Sequence, residues 1–157
     1  MTITETAAVI AAAEDVRGPD AVQLMAELTA ELAALYQTSD GSAGFKPADV
    51  EVPRAAFVIA RIDGEPVGCG ALRPLDETTV EVKRMYTRAA YRRRGVAQAI
   101  MAEFERLARD FGYTTIKLQT GPLQPEAAAL YERVGYRRIP RFSGNWERVL
   151  AYQKDLA

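Results

Sequence analysis

The order of apolar periods predicts a mixed α/β fold, one domain built on a central mixed sheet with helices on both faces. Three observations carry this reading. Period-2 and period-3.6 stretches alternate along the 157 residues. A strand, a long amphipathic helix and a second strand follow one another between residues 78 and 120, the pattern of a βαβ crossover with parallel strands. No repeat, low-complexity tract or composition shift divides the chain, so 1–157 reads as a single domain.

The elements follow in order. Val9, Ile10 and Val16 lie in an alanine-rich opening segment read as a first strand. Asp20 opens a helix in which Val22, Leu24, Met25, Leu28, Leu32 and Leu35 recur at helical spacing, up to about Tyr36. Residues 38–44 are a loop by composition. Phe57–Ile62, Asp63-Gly64 and Pro66–Leu72 read as a hairpin, because Asp-Gly tolerates the positive φ of a tight turn. Thr78–Thr87 is a further strand. Gly95–Phe111 is the best helix, with Val96, Ile100, Phe104, Leu107 and Phe111 on one face and Gly112 past its end. Thr114–Thr120 is a strand with Ile116 and Leu118 alternating, and Pro125–Val134 is a helix opened by proline and closed by Gly135. Two short strands, Tyr136–Ile139 and Val149–Lys154, flank a loop holding Pro140 and Gly144.

Composition narrows the chemistry. Lys+Arg 20 against Asp+Glu 21 leaves a net charge of -1, which argues against a dedicated nucleic-acid binder. With no histidine and the single Cys69, an intrachain disulfide, an N/S-ligated metal site, a Ser-His-Asp triad and a Cys-His pair all drop out, so no metal is expected. No stretch approaches the ~20 apolar residues of a membrane span, and the opening segment lacks the basic start of a signal peptide. The expected location is cytoplasmic.

Tyr91-Arg92-Arg93-Arg94-Gly95-Val96-Ala97-Gln98 lies between a strand and a helix N-terminus. Unpaired N–H groups and the positive end of the helix dipole favour an anion there. Gly95 allows close backbone approach, Ala97 keeps the next turn uncrowded, and the three arginines add charge. A phosphate or pyrophosphate cradle is the chemical reading; a solvated basic loop capping a helix is the plain one. Neither a Walker loop nor G-x-G-x-x-G is present.

Arg92-x-x-Gly95-x-Ala97 fits the Q/R-x-x-G-x-G/A pattern, and the segment resembles that of the GNAT superfamily of acyl-CoA-dependent N-acetyltransferases. Glu81-Val82-Lys83-Arg84-Met85-Tyr86-Thr87 resembles the strand before that pattern, and Ala127-x-x-Leu130-Tyr131-x-x-x-Gly135-Tyr136 resembles the family's A-x-x-L-Y-x-x-x-G-F segment. The likeness runs from about Val67 to Ile139. It implies a GNAT fold with two splayed parallel strands, acetyl-CoA as cosubstrate, and direct attack by a neutral primary amine in a ternary complex.

The resemblance also implies roles. Arg92, Arg93, Arg94, Gly95, Val96, Ala97 and Gln98 would hold the pyrophosphate, and Met85, Tyr86 and Thr87 the acetyl and pantetheine groups. Lys83-Arg84 breaks the Val80/Val82 alternation, which suggests a β-bulge and an unpaired N–H for the oxyanion. Tyr131 is the family's usual general acid, with a packing role as its alternative. Glu81 is the leading base, or else a surface carboxylate paired with Lys83 or an arginine; Tyr86 and Glu132 are lesser candidates. Gln124 stands where the family often has a helix-capping, cofactor-contacting Asn, although Gln is not a favoured N-cap.

Cys69 reads as small core filler. Lys117 and Gln119 face away from Ile116 and Leu118, toward the cleft. Phe45, Phe142 and Trp146 sit in the loops expected to flank the acceptor, a small-molecule amine or a peptide or protein amine, with a satellite core as the alternative reading of the three rings. No nucleic-acid or membrane partner is expected, and the family allows a homodimer. A non-catalytic acyl-CoA-binding or sensor module is the alternative function. A third reading would use Arg84, Arg88 and Arg92–Arg94 on a phosphate backbone.

Overall fold

The computed structural model describes residues 7–38, 41–42 and 44–157. These residues form strands β1 (Val9–Glu14), β2 (Ala56–Ile62), β3 (Glu65–Pro74), β4 (Thr79–Thr87), β5 (Thr115–Thr120), β6 (Arg137–Ile139) and β7 (Leu150–Asp155). The helices are α1 (Pro19–Leu35), α2 (Val96–Asp110) and α3 (Pro125–Arg133). One sheet runs β1-β2-β3-β4-β5-β7-β6, antiparallel throughout except for the β4–β5 pair. The expected mixed sheet with one parallel crossover is therefore present.

Local chemistry explains the joints. Asp63 and Gly64 have φ of 50° and 81°, the two left-handed residues of a type I′ turn between β2 and β3. Both α2 and α3 end in a Schellman motif. In α3 the Tyr136 N–H reaches the Tyr131 carbonyl at 2.9 Å and the Gly135 N–H reaches Glu132 at 3.1 Å, with Gly135 at φ 101°. The motif sets residue 136 beside residue 131, and their rings lie 6.1 Å apart.

Two apolar layers sandwich the sheet. On one face α2 and α3 cover Val58, Leu72, Val80, Val82, Ile116, Leu118 and Tyr152. On the other, α1 covers Phe57, Ile59, Cys69 and Ala71. The Cys69 thiol is fully buried and burial pushes it up to about 12, which suits filler rather than a nucleophile. The apolar face expected for α1 needs correction. Its buried stripe is Ala21, Leu24 and Leu28, while Val22 and Leu35 are exposed. A methyl at position 21 lets the first turn approach the sheet, and Arg61 fixes that end by bonding both Glu14 and Asp20 at 2.8 Å. The helix begins one residue earlier than Asp20, with Pro19 at its first turn.

The bulge lies where the sequence pattern lapses. Ala71 pairs with Lys83 and Cys69 with Tyr86, so β4 carries one residue too many, and Arg84 takes φ 58°. Its guanidinium repays that strained conformation by binding the Met25 and Gly41 carbonyls and the Thr29 hydroxyl of the α1 layer. The bulge switches side-chain parity. Met85 then packs against the α2 side, and Tyr86 turns to the α1 side.

Candidate functional site

β4 and β5 pair over four residues, from Thr79↔Thr115 to Val82↔Leu118, and then part. β4 runs on to Thr87 while β5 ends at Thr120, its other edge taken by β7. From Lys83 to Thr87 the β5-facing edge of β4 has no strand partner among the described residues. The Arg92–Gln98 segment follows after a short 3-10 turn, Ala89–Tyr91. Arg93 and Gly95 have φ of 63° and 80° with Arg94 between them, an alternation of hand that turns successive N–H groups to one side. No side chain caps α2 at Gly95, and a β-carbon placed there would meet nothing closer than the Gln98 amide oxygen at 3.8 Å. Helix start, left-handed glycine and open space thus coincide as an anion cradle requires.

The arginines divide. Arg92 is committed to Glu31 and to the Thr87 carbonyl. Arg94 stacks over Tyr91 at 5.4 Å, and Arg93 is 89% exposed with only a long contact to Glu126. Arg84 is turned into the α1 layer, and Arg88 pairs with Glu27 at 2.9 Å and with Glu65. The five arginines therefore do not form one phosphate-facing strip.

Tyr86 donates to Glu27 at 3.1 Å, and burial together with that carboxylate pushes its phenol up to about 12. Hydrogen bonding from Arg88 holds Glu27 down to about 2 from 4.5. Because its folded value is depressed, this link between α1 and β4 is fully formed above pH 4.5 and is lost as pH falls toward 2. Glu27→Gln is expected to remove about 1–2 kcal/mol of stability near neutral pH, after allowance for solvent screening, and to flatten the acid side of the stability profile. Urea denaturation on either side of that window checks it.

Tyr131 is buried on the α3 side, its ring 6.1 Å from Tyr136 and 6.0 Å from Tyr152. Burial alone raises its pKa, so it stays protonated, and it makes no side-chain hydrogen bond among the described residues. For Glu81 the alternative of an arginine-paired carboxylate holds in its pairing, and only its surface position needs correction. It is 0% exposed, and its Oε1 accepts a 2.9 Å bond from Arg73, while its Oε2 is buried without a partner among the described residues. Arg73 also bonds Asp49 and the Gly44 carbonyl, each at 2.8 Å. Sequence reasoning missed Arg73; its signal is period-2 alignment with Cys69 and Ala71. Glu132 is exposed.

Gln124 does begin α3 but does not cap it. Its amide oxygen accepts from the Tyr36 hydroxyl at 2.9 Å and from the Gly121 N–H at 3.3 Å, which ties α3 to the end of α1. Tyr36 in turn meets Trp146 edge-on at 5.4 Å. Gln119 clamps the β6–β7 loop, accepting from the Phe142 and Ser143 N–H groups and donating to the Ser143 carbonyl. Lys117 lies over the Phe142 ring at 5.4 Å, whereas Phe45 joins the α1-side core. Of the loop expected on the acceptor side, residues 39, 40 and 43 lie outside the described residues. Among the described residues no group of His, Cys, Asp or Glu is arranged to hold a metal, and no helix is long and apolar enough to cross a membrane.

The architecture is that of solved acyltransferases. A putative acyl-CoA N-acyltransferase from Klebsiella pneumoniae superposes with a TM-score of 0.78 over 95% of this chain and 98% of that one, at 26% identity. A GNAT family acetyltransferase from Elizabethkingia anophelis, solved with acetyl-CoA bound, shares the fold at TM-score 0.67 and 18% identity, covering 94% and 98%. Human N-acetyltransferase 8 is 31% identical over 103 residues, 62% of this chain and 45% of the relative, so the match spans about half of that protein's length. The model of the Acetyltransferase (GNAT) family matches residues 21–136, and the chain belongs to that family.

Proposed function

We propose that residues 1–157 act as one domain that transfers an acetyl group from acetyl-CoA to a primary amine, by direct attack in a ternary complex. One observation carries this reading: the unpaired edge of β4 is followed, after the short 3-10 turn Ala89–Tyr91, by the uncapped, glycine-led start of α2. A ligand with an extended amide-bearing arm and a pyrophosphate matches the two in series. The arm pairs with the strand edge at Met85, Tyr86 and Thr87, and the pyrophosphate lies on the N–H groups of Gly95, Val96, Ala97 and Gln98. Arg93 and Arg94 supply charge at its rim, and Arg92 positions the loop through Glu31. Gln124, held by Tyr36, shapes the α3 side instead of capping it. A reducing, cytoplasmic setting fits the single buried thiol, Cys69.

The chemistry then divides between the two faces of the sheet. The amine nitrogen attacks the thioester carbon, forming the C–N bond and an oxyanion that the backbone at the Met85 bulge stabilises. Glu81 takes the nitrogen's proton on Oε2, the oxygen that Arg73 leaves free. Collapse breaks the C–S bond, and Tyr131 gives its proton to the departing thiolate. The buried phenol is a poor acid in water, but the thiolate forming beside it is equally desolvated and correspondingly basic.

Thiol release from acetyl-CoA across a panel of amines tests the reaction. No release with any acceptor, despite acetyl-CoA binding, would refute it. Gly95→Val tests the cradle. A β-branched residue at φ 80° is strained and its side chain fills the anion site, so acetyl-CoA affinity is expected to fall at least about tenfold by calorimetry. The surroundings are open enough for the fold to persist.

A further inference from the structure

We propose that the acceptor is an α-amino acid, whose carboxylate is bound between Lys83 and Lys117 while its nitrogen sits at Oε2 of Glu81. This rests on the acetyl-transfer reading above and names its substrate class. Glu81 and Lys117 are register neighbours across β4 and β5, so their side chains leave the same face of the sheet side by side. Lys83 lies two residues further along β4, on that face and at the mouth of the gap. The result is a buried carboxylate with two lysines on its own face of the sheet, a charge pattern that complements a zwitterion with adjacent ammonium and carboxylate.

Three further observations point to a ligand there. Oε2 of Glu81 is buried with no partner among the described residues in a side chain that is 1% exposed, and a buried carboxylate oxygen calls for a donor. Lys83 and Lys117 are both partly buried, and neither makes an ion pair among the described residues. Burial lowers the Lys83 pKa and Glu81 opposes that shift; an incoming carboxylate would oppose it further.

The surrounding charges favour the same ligand. Glu81 and Asp49 are the carboxylates that act on Lys83, and Arg73 already bonds both. Arg73 and Arg84 are the cations that act on it. The face therefore carries surplus positive charge, which attracts a carboxylate and disfavours a polyamine. Gln119, by holding the Phe142–Ser143 backbone, keeps a ring under Lys117 and fixes where its ammonium stands.

The test uses the intact protein and thiol release from acetyl-CoA with matched acceptors: leucine, methionine and phenylalanine, their methyl esters, the corresponding decarboxylated amines, and spermidine. The free amino acids are expected to exceed their esters and amines in kcat/KM by at least about tenfold, as charge-assisted contacts predict. Esterification lowers the amine's pKa and enlarges its neutral fraction, so a loss on esterification reports the carboxylate and not the nucleophile. Lys83→Met and Lys117→Gln are each expected to move that ratio toward one, by raising KM for the amino acid with no change in acetyl-CoA affinity. Esters or amines turned over as well as the acids, or a ratio indifferent to both substitutions, would overturn the amino-acid assignment and leave acetyl transfer standing. No turnover with any acceptor would overturn both.

Discussion

Tyr131→Phe is expected to lower kcat by about 10²–10⁴-fold, the span of a lost general acid, while acetyl-CoA affinity and Tm hold. The change is clean for structural reasons. The hydroxyl bonds no other side chain among the described residues, so its removal orphans no partner. The ring keeps its contacts with Tyr136 and Tyr152, and the Schellman bonds that set its place are made by backbone. Because burial keeps the phenol protonated, the deficit should be the same at neutral and mildly alkaline pH. Steady-state kinetics together with calorimetry decide the matter. A kcat within about twofold of the parent would reduce Tyr131 to a packing residue.

Arg73→Met is expected to cost about 3–5 kcal/mol of stability, the usual consequence of stranding one member of a buried ion pair. Glu81 would keep its burial and lose its one hydrogen-bond donor, and Asp49 would lose the same partner. A second substitution separates pairing from packing. Arg73→Met with Glu81→Leu should recover much of the loss, because a matched apolar pair has no charge to desolvate. Urea denaturation of the two variants measures both values. A single-variant loss below about 1 kcal/mol would mean that a neighbouring cation replaces Arg73 at Glu81.

Much of this was written locally in the chain. Asp63-Gly64 specifies its turn through two residues that tolerate positive φ, and Gly112 and Gly135 end their helices for the same reason. The bulge at Arg84 showed as a lapse in alternation, and the family likeness named Tyr131 and the Arg92–Gln98 loop. What was illegible depends on neighbours that come from elsewhere in the sequence. Alternation with Val80 and Val82 put Glu81 on the opposite face of β4, but only packing from the Asp49 region and Arg73 covers that face there. Gln124 looked like a weak cap because nothing in its vicinity announces Tyr36, 88 residues earlier, as its partner. In α1 both Ala21 and Val22 suit an apolar stripe, and the approach of the sheet chose the smaller.

The short parallel pairing also divides the sheet mechanically. β1 to β4 form one antiparallel leaf, and β5, β7 and β6 form another. Among the described residues, four residue pairs and the bond from the Thr114 N–H to the Thr78 carbonyl make the backbone seam between them. A cofactor lying in the opening would act as a staple, adding hydrogen bonds where the two leaves have none and drawing them into one cooperative unit. Amide hydrogen exchange should then slow most at the ends of β4 and β5 beside the opening, and unfolding should shift upward with ligand concentration. Without ligand, the short seam is expected to exchange its amides faster than the antiparallel pairs on either side of it.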